Sequence, residues 1–68
     1  MDKSLEHAFN EIGIKNPTQY VEETIERLNQ IEAAVRREQE IMKRPTSIGM
    51  NTSRVVSEAK SHLEFLKK

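Results

Sequence analysis

Apolar residues recur along this chain at helical spacing in three blocks separated by helix-stopping residues. In the first block Leu5, Ala8, Phe9 and Ile12 fall on one face of a helix. Asp2 or Ser4 stands before it as a cap, and Gly13 follows as the left-handed residue of a Schellman stop, with Ile14 placed to fold back on Phe9. The spacing predicts a short helix over about residues 3–12.

The second block opens on a strong start signal. Asn16 is an N-cap, Pro17 occupies the first helical position where its missing N–H is harmless, and Gln19 is the return partner of a capping box. No glycine or proline interrupts the chain from there until Pro45, which cannot continue a helix. A helix over 17–44 follows, about 42 Å long at 1.5 Å per residue. Within it Val21, Leu28, Val35 and Met42 recur every seventh residue, with Thr24, Ile31 and Glu38 between them and Ile25 one step on. This ragged heptad suits either an amphipathic helix packed on its own neighbours or a coiled-coil seam with a second copy. Glu23–Arg27, Glu32–Arg36 and Glu40–Arg44 are spaced for ion pairs along the helix surface.

The stretch from Pro45 to Asn51 reads as a turn-like connector, and Asn51, Thr52 or Ser53 as the cap of a third helix over about 53–67 carrying Val55, Val56, Ala59, Leu63, Phe65 and Leu66. The expected fold is all-α. One domain spans residues 1–68, a long central helix flanked by a short N-terminal and a medium C-terminal helix, associating as a dimeric helical bundle or a higher one.

Composition is what points to association. Of the 68 residues, 19 carry large apolar side chains once Met1 and the alanines are set aside. Ordering the chain costs roughly 1.5 kcal/mol per residue, on the order of 100 kcal/mol in all, which so few side chains barely offset within one copy. The chain has no cysteine, so no disulfide or thiolate metal site supplements the core. Burial of Val21, Ile25, Leu28, Ile31, Val35 and Met42 against a second copy is the expected remedy. Charge orients the pairing: residues 1–32 hold seven acids against three bases, and residues 33–68 eight bases against four acids. Antiparallel helices would lay the acidic start of one beside the basic end of the other.

Candidate chemistry adds little. His7 with Glu11, and Glu58 with His62, have the four-residue spacing of paired metal ligands, but such pairs are ordinary on helix surfaces and a site needs more ligands than one pair offers. Neither a metal nor a cofactor is expected. There is no nucleophile elbow, phosphate loop or dinucleotide fingerprint, so catalysis is not expected either. Arg36, Arg37, Lys43 and Arg44, with Arg54 nearby, form a basic face suited to nucleic acid, yet Glu40 projects into its middle and only three aromatic residues are present to stack on bases. Ile48 and Met50 flank Gly49 in the connector; they are expected to seal the end of the helical core, or else to contact a partner protein. No apolar run is long enough to span a membrane and no basic-then-apolar leader opens the chain, so a cytoplasmic location is expected. These features favour a non-enzymatic helical interaction protein, an adaptor, regulator or inhibitor that contacts itself and an unidentified protein. A small dimeric nucleic-acid-binding regulator is the alternative.

Overall fold

The computed structural model describes all 68 residues, and they form three helices: α1 (Lys3–Glu11), α2 (Pro17–Met42) and α3 (Ser47–Lys67). α2 and α3 make an antiparallel hairpin packed along its length, while α1 touches α2 only near its start. The molecule is a rod of 46 × 17 × 16 Å.

The helix boundaries follow from local hydrogen bonding. The Asp2 carboxylate accepts from the backbone N–H groups of Ser4 at 2.7 Å and Leu5 at 3.2 Å, which caps α1. Beyond Ile12, Gly13 adopts φ 98°. The Ile14 N–H donates to the Phe9 carbonyl at 3.0 Å and the Gly13 N–H to Asn10 at 3.1 Å, both bonds of a Schellman stop. Asn16 Oδ1 then accepts from the Gln19 N–H at 3.2 Å and opens α2. Gln19 returns a side-chain contact, accepting from Asn16 Nδ2 at 3.2 Å, in place of the backbone bond of a full capping box.

The far end of the hairpin departs from the sequence expectation. α2 ends at Met42, two residues early, because Lys43 turns into the left-handed region at φ 57°. Arg44 N–H to Gln39 carbonyl and Lys43 N–H to Glu40 carbonyl, each 3.3 Å, complete a second Schellman stop built on a lysine. Nor is the stretch up to Asn51 a connector. Thr46 is the N-cap, its Oγ1 accepting from the Gly49 N–H at 3.0 Å, so α3 starts at Ser47 and takes in Ile48, Gly49 and Met50 as its first turn. Gly49 is helical despite its poor propensity because the two helices close tightly there. A Cβ at Gly49 would stand 2.7 Å from both Gln39 Nε2 and Thr46 Oγ1.

The core is thin. Val21 and Val56 are its only buried aliphatic side chains apart from Pro17 at the start of α2, and nine of the large apolar residues are exposed. The seam between α2 and α3 runs through Val21, Ile25, Leu28, Glu32, Val35 and Gln39 on one side and Gly49, Val56, Leu63 and Lys67 on the other, all buried or half-buried. It is a heptad seam formed within one chain, with Glu32 and Gln39 at positions where an apolar residue would pack better.

Candidate protein interface

A helix advances about 100° per residue, so the seam divides each long helix into two flanks. On one side of the hairpin lie Glu22, Glu26, Asn29 and Arg36 of α2 and Ser53, Ser57, Lys60 and Glu64 of α3. This side is held by polar contacts between the helices. Lys60 Nζ is ion-paired with Glu32 and donates to Asn29 Oδ1 at 3.0 Å; Lys67 Nζ lies 3.9 Å from Glu22. Glu32 Oε1 is shielded from solvent, and the Lys60 ammonium is its partner.

The other side is apolar. It carries Tyr20, Thr24, Ile31, Ala34 and Ile41 from α2 and Ile48, Thr52, Val55 and Ala59 from α3, with Arg27 and Glu38 as the two charged residues among them. Ile31, Ala34 and Val35 face Ile48, Gly49 and Thr52 across a groove of about 440 Å³. Its rim is open to solvent: Ile48 is 81% exposed, Ile41 66% and Val55 55%. α1 covers only the end of this side remote from the hairpin tip. There the Phe9 and Tyr20 rings meet at 6.4 Å, Leu5 and Leu66 line one hollow, and the N-terminal amine lies 3.4 Å from the Lys67 carbonyl. α1 itself keeps an apolar hollow of about 240 Å³ between Leu5, Ala8, Phe9 and Ile12.

The residues expected to mediate self-association therefore separate into two groups. Val21 is 2% exposed and, with half-buried Ile25, Leu28 and Val35, serves the seam within the chain. Ile31 and Met42, 43% and 48% exposed, remain available. The heptad reading placed all six on one interface because packing onto α3 and packing onto a second copy require the same spacing. Ile48 and Met50 do not seal the core: they are 81% and 61% exposed. Being two apart on a helix, they point to nearly opposite sides, with Ile48 alone on the apolar one. The members of this face that sequence reasoning passed over are Ala34, Ile41, Thr52 and Val55. Their signal was present in the Ile48, Thr52, Val55, Ala59 spacing, which continues the third helical stripe back through the supposed connector.

Arg36 lies 3.9 Å from Glu32 and Arg37 3.3 Å from Glu40, and Lys43 is taken up in the turn. Arg54 sits two residues before buried Val56, on the side of α3 turned away from α2. His7 and Glu11 pair at 2.9 Å on the α1 surface, and no three His, Asp or Glu side chains converge anywhere in the chain. No helix is long and apolar enough to cross a membrane. No protein-family model, curated protein or solved structure matches this chain.

Proposed function

We propose that this chain is a non-enzymatic helical interaction protein that works through self-association and protein–protein contact, using the apolar side of the α2–α3 hairpin. One observation carries the reading: the structure exposes far more surface than its mass requires. Its accessible surface is 5419 Å², against about 4,400 Å² for a compact monomer of this mass. The radius of gyration is likewise 15.0 Å, where a compact domain of this length has about 11 Å. The excess is roughly 1,000 Å² per chain, the share each partner contributes to a stable, specific interface. Five of the nine exposed large apolar residues, Tyr20, Ile31, Ile41, Ile48 and Val55, lie on one side of the rod, so covering that side removes a large share of the excess at once.

Sedimentation equilibrium over a wide concentration range tests this reading. The expected result is reversible association that Val55→Asp abolishes and Ser57→Asp, on the polar side, leaves intact. A wild-type chain that stays monomeric at every concentration and remains folded would remove the self-association.

A further inference from the structure

Resting on that reading, we infer that the apolar side is covered by the same side of a second copy running antiparallel, about a twofold axis that lies on the apolar side, level with the point between Glu32 and Ala33 of α2 and with Ser57 of α3. The row of α2 next to the seam is Thr24, Arg27, Ile31, Ala34, Glu38 and Ile41, all exposed but half-buried Thr24. Its three- and four-residue steps read the same from either end. Reversing a second copy about the centre of the row sets Ile31 against Ala34, Thr24 against Ile41 and Arg27 against Glu38, each pair occurring twice as an isologous contact requires.

Charge selects this arrangement. Arg27 and Glu38 are the two charged residues of the row, they have opposite signs, and they stand equally far from its centre. Neither forms an ion pair within the chain, although the other side of the hairpin is rich in them. Glu38 only accepts a 3.4 Å contact from Thr46 Oγ1. Arg27 also leaves the Glu23 carboxylate, one turn away, unpaired with it; Glu23 accepts from Gln19 instead, at 3.1 Å. A parallel dimer in register would oppose Arg27 to Arg27 and Glu38 to Glu38. The antiparallel one supplies each with its missing counter-ion.

The outer row of α3 is compatible with the same axis. That row, Ile48, Thr52, Val55, Ala59, His62 and Leu66, is also the same read backwards, with its centre at Ser57. The register of the hairpin places that centre correctly. Across the hairpin Lys60 meets Asn29 and Lys67 reaches Glu22, so the point midway between Glu32 and Ala33 is level with Val56 and Ser57. One axis thus serves both rows, pairing Val55 with Ala59 while the α2 rows pair Ile31 with Ala34. The product is a four-helix core in which each exposed hairpin tip, with Ile48, ends beside the partner's α1 and its apolar hollow.

The test is a charge-reversal cycle read by sedimentation equilibrium, with helicity by circular dichroism as the folding control. Arg27→Glu and Glu38→Arg each place like charges together twice per dimer and are expected to weaken dimerisation at least about tenfold. The double variant restores the opposed pairs and should recover dimerisation to within about threefold of wild type. Arg27→Gln and Glu38→Gln complete the cycle without reversed charge: each should weaken association about threefold, and the two together no more than either alone. A wild-type dimer indifferent to the single reversals, or weakened by them but not restored by the double, overturns the antiparallel register while self-association stands. A wild-type monomer overturns both.

Discussion

The two long sides of the hairpin are built from the same two helices and solve opposite problems. On the polar side several charged groups find partners in their own chain: Glu32 pairs with Lys60, Glu22 lies near Lys67, and Lys60 also donates to Asn29, while Glu26 stays unpaired. On the apolar side the two charges of the α2 row, Arg27 and Glu38, find no ion partner, and the residues around them are Ile31, Ala34 and Ile41. A side that satisfies most of its polar groups internally has no need of a second molecule. One that leaves both apolar area and unpaired charge open is incomplete as a monomer surface, since exposed apolar patches of this kind mark interaction sites. Charge pairing across the hairpin thus adds to hydrophobicity in distinguishing the two sides, because the thin seam between them contains Glu32 and Gln39 as well as valines.

The largest effect is expected from placing one charge on each side. Ile31→Asp puts two carboxylates into the centre of the antiparallel interface, a burial that costs about 3 kcal/mol or more, so dimerisation should weaken at least about 100-fold. Ala33→Asp, two positions on and on the polar side, should leave the association constant unchanged. Sedimentation equilibrium on both variants decides it. If Ala33→Asp were the one that dissociated the dimer, the assignment of the sides would be reversed.

The second contrast runs the other way. Lys60→Met keeps the packing stem but leaves the Glu32 carboxylate, whose side chain is 18% exposed, without its counter-ion. Fully buried pairs cost several kcal/mol to break and exposed ones almost nothing; partial exposure here places the expected loss at about 1–2 kcal/mol. It should appear as a lower urea midpoint at fixed protein concentration, with association in dilute buffer unaffected. Unchanged stability with lost association would mean that the ion-paired side is the interface.

Much of this architecture was legible in the sequence, and the parts that were not share a physical cause. The starts of α1 and α2 were readable because Asp2, Gly13, Asn16 and Pro17 act through local backbone chemistry that needs no tertiary partner. The hairpin tip was not, because Lys43 in the left-handed region and Gly49 inside a helix both contradict residue preference and are held by contact between the helices. Gly49 fits where a Cβ would strike Gln39, a contact that only the folded hairpin reveals. The candidate interface was half legible for a different reason. A heptad states that a helix packs on something, and Val21, Leu28 and Val35 pack on α3. The flanking row of Ile31, Ala34 and Ile41 became distinguishable only once α3 had occupied the seam.

Two smaller predictions concern the tip, which sets the register of α3 on α2 and hence which rows point outward. Thr46→Ala removes the hydroxyl that caps α3 and should cost about 1 kcal/mol, again read from the urea midpoint. The companion Lys43→Gly should act in the opposite direction. A non-glycine residue in the left-handed region is strained by roughly 1–2 kcal/mol, while glycine gives back part of that gain through the greater freedom of its unfolded chain. The net stabilisation is therefore under about 1 kcal/mol, a rise of a few degrees in melting temperature for a domain this small. Lys43 belongs to neither row, so the dimerisation constant of the folded chain should not move. A melting temperature that rises while association stays constant separates the turn that aligns the helices from the side that binds, whereas a concurrent change in association would show that the tip, beside the partner's α1, belongs to the interface.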